Sequence, residues 1–537
     1  MTASLIDDAR SQPEARREPR WGQIGNLIAL FLLFFITTAP YALPAFWYDE
    51  LFSFYISQMN GTTAVWQALM GGVDFNPPLS YIITRAFQAV LGNSEFVTRL
   101  PEMLGFFVMS LCLYRFVARL STPVFGYIAA VIPWCSGVYI LAAQARPYGL
   151  MLGFSALALV IWQEASWQEA GEAKRPWWAL PAFSLSLCAA LLTHCYAVLI
   201  LIPFGLGEIV RQYRAGRFDA RMWAALIAAV PCIAIYIPLL GNMKPYVTAS
   251  DYFKIPWSTL PEMYEYLFRP ALLWPAFISA LLMTIPTLSC QSGQSNKKDG
   301  VPAHQWVVAA GFAILPGIAV LLAKMMGSQF FPRYGAAGAI GIGLLFAMHM
   351  WWRETPPRTA ALVLLAFIAG HVISVGQYIH SAIADPPNSE KASLSKMERR
   401  QSPLEIRKNL PFVAASGLRF FELDHYGAPD LVSRLYYLLD ADASVGYTQT
   451  NVFDKGLPLM KRWFPIRGQL VEYKQFIREH KKFLVYGNYH FANDWLFKKL
   501  IDDGAQLSLL TDSEHHLGDL MLFEVTWNPE QPVQQAH

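Results

Sequence analysis

The chain has 537 residues, of which 54% are hydrophobic and only 15% charged, a balance too apolar for a soluble protein with an ordinary surface. Its 42 Lys and Arg stand against 39 Asp and Glu, a formal net charge of +3, so there is no basic excess of the kind nucleic-acid binding needs. The six cysteines, Cys112, Cys135, Cys188, Cys195, Cys232 and Cys290, lie in or beside apolar stretches without metal-ligand spacing and read as packing residues.

A polar tail, Met1 to Arg20, carries Arg10, Arg16, Arg17 and Arg20 ahead of the first apolar run, Ile24 to Leu43. That run is long enough to span a bilayer and lacks a small-x-small exit, so it reads as an uncleaved anchor with residues 1–22 in the cytoplasm. Further apolar windows follow at Pro101–Ala118, Pro123–Ala142, Tyr148–Trp162, Trp177–Leu192, Tyr196–Val210, Trp223–Leu240, Ala271–Leu288, Trp306–Met325, Gly335–Trp351 and Ala360–Val375. A span needs about 20 apolar residues, which predicts about 11 transmembrane helices over residues 23–380, with a first outer loop at 44–100.

Loop charges fit this topology. Arg115 and Arg119, Lys174 and Arg175, Arg211, Arg214, Arg217 and Arg221, Lys297 and Lys298, and Arg353 and Arg358 all fall in alternate loops, which the positive-inside rule assigns to the cytoplasm. An odd number of spans puts residues 381–537 on the outer side with the first loop. After a charged linker, Ser389 to Arg407, that segment shows short β-rich runs at Pro411–Ala415, Phe483–Tyr486, Gln506–Leu510 and Leu520–Val525. Amphipathic stretches such as Pro429–Leu439 and Asn493–Asp503 separate them, the pattern of a small extracytoplasmic α/β domain.

Charges within the spans are few and sit at predicted ends. An ion pump needs ionisable groups near mid-depth and a secondary transporter two related halves with broken helices; neither pattern is present. The outer ends are richer. In Trp47-Tyr48-Asp49-Glu50 two acids follow the first span. Asp49 is the best candidate for a general base taking a proton from an incoming hydroxyl; the other reading is that the pair marks the water boundary. The adjacent carboxylates could also hold a divalent cation through oxygen ligands.

In Asp74-Phe75-Asn76-Pro77-Pro78-Leu79 the prolines predict an extended segment, where Asp74 orients sugar hydroxyls or simply caps a turn. Leu51 to Leu69, with Phe52, Phe54, Tyr55 and Trp66, reads as an amphipathic helix lying in the interface. Gln144-Ala145-Arg146-Pro147-Tyr148, Thr193-His194-Cys195-Tyr196 and Phe331-Pro332-Arg333-Tyr334 stand at other outer ends. A guanidinium there can grip a phosphate through paired hydrogen bonds, or snorkel to membrane lipids in general. His194 reads either as a phosphate or acid partner or as a packed histidine.

Taken together these residues resemble the GT-C superfamily, particularly bacterial transferases related to protein O-mannosyltransferases, lipid A aminoarabinose transferases and the Rgt-type lipopolysaccharide transferases. The resemblance is strongest from Trp47 to Leu120, where Tyr48-Asp49-Glu50, Asn76-Pro77-Pro78-Leu79, Gly92-Asn93-Ser94 and Arg99-Leu100-Pro101 appear in the family's order. It is traceable through Arg146-Pro147-Tyr148 and His194-Cys195-Tyr196 to Arg333-Tyr334.

The resemblance implies a multi-pass enzyme of the bacterial inner membrane that takes a sugar from a polyprenyl phosphate donor and inverts the anomeric carbon. It makes Asp49 the base, with Glu50 in support and Arg333 meeting the donor phosphate. Asp74, Asn76, Arg146, Tyr148, His194 and Tyr334 complete the expected substrate site. Asn76 stands where relatives often carry His or Lys, and a glycolipid, a polysaccharide or a protein all remain open as acceptor. No cofactor is required by this chemistry, because the leaving group is already good and the protein has chiefly to align the acceptor, take its proton and stabilise the phosphate. A lipid-linked sugar flippase or exporter is the alternative from another class, and a sugar-chain polymerase or ligase using the same donor is the alternative among enzymes.

Overall fold

The computed structural model describes residues 20–166, 175–242, 246, 255–268, 300–326, 330–384, 407–511 and 520–527. Helix α1 (Arg20–Ala42) leads into three short helices, α2 (Tyr48–Ser57), α3 (Thr62–Met70) and α4 (Leu79–Leu91). The bundle continues with α5 (Glu95–Leu120), α6 (Pro123–Val131), α7 (Tyr148–Ser166), α8 (Ala179–Leu191), α9 (Leu201–Ala215), α10 (Ala220–Ile227), α11 (Tyr236–Gly241), α12 (Thr259–Leu267), α13 (Ala303–Met326), α14 (Gly338–Trp352) and α15 (Pro357–Ala384).

Among the described residues seven helical stretches are long and apolar enough to cross a membrane: Ile24–Ala42, Glu95–Leu120, Tyr148–Ser166, Cys195–Ala215, Ala220–Gly241, Ala303–Met325 and Pro357–Ile383. The chain is thus a multi-pass membrane protein, but eleven full-length spans are not what is seen. The expected windows at 177–192 and 335–351 are the shorter helices α8 and α14, of 13 and 15 residues. At 1.5 Å per residue each reaches only about 20 Å: Trp177 and Trp178 form a turn ahead of α8, and the 3₁₀ turn Pro332–Gly335 stands ahead of α14. The expected span Ala271–Leu288, the N-terminal tail 1–19 and the linker residues 389–406 lie outside the described residues.

The window at 123–142 forms a broken element. Pro123–Cys135 and Gly137–Ala143 meet at a bend of 82°, directly after Pro133 has turned the chain into a 3₁₀ segment. Pro133 donates no hydrogen bond of its own, and packing within the bundle keeps the freed backbone groups out of lipid.

α7 is apolar all round and is enclosed by α5 and α8, as such a helix must be. Its seam with α5 is built of glycines. A Cβ on Gly149 would stand 2.1 Å from the Glu102 carbonyl oxygen, and one on Gly153 2.4 Å from that of Gly105. Small residues let membrane helices approach this closely where no hydrophobic drive distinguishes side chain from lipid.

The C-terminal domain carries a six-stranded sheet of order β3-β2-β1-β4-β6-β5. Its strands are β1 (Phe412–Ala414), β2 (Leu435–Leu439), β3 (Gln469–Glu472), β4 (Lys482–Gly487), β5 (Gln506–Thr511) and β6 (Met521–Thr526). β1 to β4 run parallel and β6 runs antiparallel to both its neighbours. Strand periodicity divides the core in two. Phe412, Leu484 and Tyr486 join Phe46, Tyr48, Leu51 and Val65 of segment 44–100, while Val413, Phe483 and Val485 pack on Phe476, Trp495 and Phe497 on the far face. Segment 44–100 therefore covers one face of the sheet, and the two lie on the same side of the bundle.

Two expectations are corrected. Leu51–Leu69 is not one interfacial helix, because Gly61 takes φ +96° and separates α2 from α3. Phe52 and Tyr55 pack on Phe421 and Phe464 of the C-terminal domain, so their apolar face is spent on protein, not on lipid. Pro429–Leu439 is a single turn, Pro429–Val432, followed by strand β2. Its Leu-Tyr-Tyr-Leu-Leu run sits between two strands and is covered on both faces, a pattern that periodicity alone does not separate from a helix.

Candidate active site

Five separate chain segments end at one place, each at a break in regular helix. Asp49 lies in the first turn of α2, and Asp74 in the loop between α3 and α4. The bend after Pro133 carries the chain across the bundle end to Arg146, which Pro147 then biases toward extended backbone. His194 precedes the 3₁₀ turn Cys195–Ile200, and Arg333 and Tyr334 lie within the turn Pro332–Gly335.

Arg333 donates from Nη2 to Asp49 Oδ2 at 3.0 Å, and each side chain is about one-quarter exposed, at 25% and 23%. The guanidinium lies among the rings of Trp47, Phe331 and Tyr334, with centroid distances of 5.5, 4.7 and 5.9 Å. Its Nε is buried without a hydrogen-bond partner, a donor left over in a site already rich in π-faces.

Arg146 ties the two aspartates together. Its Nη1 donates to Asp74 Oδ2 at 2.7 Å and to the backbone oxygen of Asp49 at 3.1 Å. Asp74 also accepts from Phe75 N at 2.6 Å, from Asn76 Nδ2 at 3.2 Å and from Tyr81 Oη at 2.8 Å. Burial alone would push the Asp74 carboxyl up, but Arg146 and these donors outweigh it and hold the carboxyl below its ordinary range.

His194 stands beside Tyr148, with ring centroids 4.8 Å apart, and its Nδ1 accepts from Tyr196 N at 3.1 Å. Burial, reinforced by Arg146 and Arg333 against the pull of Asp74, lowers its pKa to about 3. The ring is therefore neutral at pH 7 and, with Nδ1 accepting, carries its proton on Nε2. Tyr196 and Tyr334 stack with centroids 4.6 Å apart.

The structure thus gathers Asp49, Asp74, Asn76, Arg146, Tyr148, His194, Arg333 and Tyr334, and it sets Glu50 apart. Glu50 is 1% exposed and bound through both oxygens, to Arg99 Nε at 2.7 Å and Arg99 Nη2 at 2.5 Å, with Ala145 N donating to it at 2.7 Å. The adjacent acids do not converge on a shared cation position, because a helix turns successive side chains about 100° apart. Among the described residues no group of three or more His, Cys, Asp or Glu side chains is assembled that could hold a metal ion.

No protein-family model matches the chain, and no curated protein sequence matches it. Among solved structures, ArnT from Cupriavidus metallidurans bound to undecaprenyl phosphate aligns with a TM-score of 0.54 at 12% identity, covering 94% of this chain and 98% of that one. The fold is that of ArnT. The apo state of ArnT gives a TM-score of 0.53 at 11% identity over the same shares. Coverage of this extent takes in both the bundle and the C-terminal domain, so the likeness is one of architecture.

Sequence reasoning missed the residues that hold the site from behind. Tyr81 stands in the first turn of α4, seven positions after the aspartate it serves, and an Asp-to-Tyr spacing of that kind carries no signal by itself. Arg99 was legible only through the resemblance, not as the partner of Glu50. Glu422, which accepts from Tyr48 N at 2.9 Å, comes from the C-terminal domain across 374 residues of sequence, beyond the reach of any local pattern.

Proposed function

We propose that this chain is an integral glycosyltransferase of the bacterial inner membrane that moves a sugar from a polyprenyl phosphate carrier to an acceptor outside the cytoplasm. The observation that carries the reading is the pairing of Asp49 with Arg333, two residues 284 positions apart, inside a cluster that also holds Arg146 and the rings of Trp47, Tyr148, Tyr196, Phe331 and Tyr334. The ArnT fold supports it, and ArnT was crystallised with undecaprenyl phosphate, which is a lipid of the same class.

In this scheme the acceptor hydroxyl attacks the anomeric carbon from the side opposite the phosphate. A new C–O bond forms as the sugar–phosphate C–O bond breaks, the phosphate leaves with the electron pair and Asp49 takes the hydroxyl proton. Arg333 turns its unused Nε, and Arg146 its charge, toward the departing phosphate. Trp47, Tyr148 and the Tyr196–Tyr334 stack give the sugar apolar faces, Asp74 and Asn76 orient its hydroxyls, and neutral His194 offers Nε2–H. Glu50 acts from behind, by fixing α2.

The seven long spans, the bent pair, α8, α14 and the apolar run 271–288 make eleven passes. With eleven passes, residues 381–537 share the extracytoplasmic side with loop 44–100, opposite a cytoplasmic tail at 1–22, a reading supported by the core that those two segments share. The test is mass spectrometry of glycolipids and glycoproteins from a strain lacking the chain. One sugar modification is lost, wild-type expression restores it and Asp49→Asn does not; an unchanged glycan profile refutes the reading.

A further inference from the structure

Helix α16 (Gly417–Tyr426) of the C-terminal domain lies along α2, the helix that begins beside Asp49. Three of its residues, spaced i, i+3 and i+4 and hence on one face, each bond to a different point of the α2 segment. Tyr426 Oη accepts from Phe46 N at 2.6 Å, Glu422 Oε1 accepts from Tyr48 N at 2.9 Å, and His425 Nδ1 meets Tyr55 Oη at 2.7 Å. Phe421, on the same helix, packs its ring against Tyr48 and Phe52.

The Glu422 contact is the informative one. The first four N–H groups of a helix have no partner within it, and α2 has no serine, threonine, asparagine or aspartate at its N-cap, where Trp47 stands. Glu50 of α2 itself accepts from Trp47 N at 3.3 Å, and for the next amide, Tyr48 N, a carboxylate from another domain serves as acceptor, where the helix dipole favours negative charge. The two amides gripped, of Phe46 and Tyr48, bracket Trp47, whose ring lies 5.5 Å from Arg333, and directly precede Asp49.

We propose that the C-terminal domain takes part in sugar transfer by positioning the Asp49 carboxylate, with Glu422 capping the turn from which Asp49 projects. This rests on the glycosyltransferase reading. Glu422 touches no reacting atom; it is a positioning residue, and its loss lets the first turn of α2 fray so that Asp49 and the Trp47 wall of the Arg333 site drift together. Misplacing a catalytic group by about 1 Å costs on the order of a hundredfold in rate.

The experiment uses the full chain in detergent and in the deletion strain. In Glu422→Ala, amide hydrogen exchange rises over residues 46–52, and sugar transfer falls on the order of ten- to hundredfold. The melting temperature is close to wild type. Glu422→Gln keeps an acceptor oxygen for Tyr48 N and restores most of the rate, a rescue that a requirement for charge alone would not give. Unchanged exchange in Glu422→Ala overturns the proposal, and so does raised exchange with wild-type transfer. If deletion of the chain alters no glycan, it is the glycosyltransferase reading that fails, while the exchange measurement still decides whether Glu422 holds α2.

Discussion

Glu50 grips Arg99 through both carboxylate oxygens, at 2.7 and 2.5 Å, in a pair that is almost wholly buried. The rest of the guanidinium binds the carbonyl oxygens of Ala42, Pro44 and Ala45 at 2.9, 2.5 and 3.2 Å. Arg99 thereby closes the end of α1, the start of α2 and the N-terminal end of α5 into one clasp.

Removing one member of such a pair leaves the other charged and buried, at a cost of about 3–5 kcal/mol. Arg99→Ala and Glu50→Ala are expected to lower the melting temperature in detergent sharply, with Arg99→Lys little better because an ammonium cannot form the fork. A melting temperature unchanged in Arg99→Ala would show that the clasp does not hold the fold.

Close helix approach makes the α5–α7 seam intolerant of any side chain. Gly149→Ala puts a Cβ 2.1 Å from a backbone oxygen, which no rotamer change relieves, and a loss of about 1–3 kcal/mol or more follows. Gly376→Ala on α15, where nothing lies within 4 Å of the new atom, is the matched control and should melt at or slightly above wild type. Equal melting of the two variants would remove the seam from the account.

His194 gives the molecule an acid-sensitive point. Its folded pKa of about 3 lies below the ordinary value of 6.5, so between those values the unfolded chain binds a proton that the folded chain does not, and stability falls as pH drops. At pH 5 the deficit is about 2 kcal/mol. Melting scans from pH 7.5 to 5 should show a decline that His194→Gln flattens; parallel declines in the two proteins would mean that His194 is charged when folded.

Much of the candidate site was legible because its residues stand at the ends of apolar runs, where a charge or an aromatic has no packing reason to recur. Asp49, Arg146, His194 and Arg333 stand out that way and Asp74 through the prolines that follow it, and the fold brings all five together. What could not be read was which way each side chain turns. Asp49 and Glu50 are neighbours in sequence with identical charge, and only the helical rotation between them sends one to Arg333 and the other to Arg99. The break in the 123–142 window was hidden for a similar reason, since the apolar run continues through Pro133 while the regular helix does not. Strands β1, β4, β5 and β6 were visible as short apolar runs, whereas β3, Gln-Leu-Val-Glu on the sheet edge, is too short and too polar to stand out.

Arg333 is expected to act on the donor lipid. Arg333→Ala should weaken undecaprenyl phosphate binding by about tenfold or more, the worth of a charge-assisted hydrogen bond, with a smaller loss in Arg333→Lys. Equal affinity in wild type and Arg333→Ala, measured in nanodiscs, would take this residue out of the donor site.

The most direct measurement is the rate of sugar transfer by Asp49→Asn, taken beside its affinity for undecaprenyl phosphate and its melting temperature. The amide keeps the shape of the side chain and cannot accept the proton, so transfer should fall by about a hundredfold or more, with lipid binding and stability near wild type. Transfer at the wild-type rate in Asp49→Asn would contradict the assignment of Asp49 as the base.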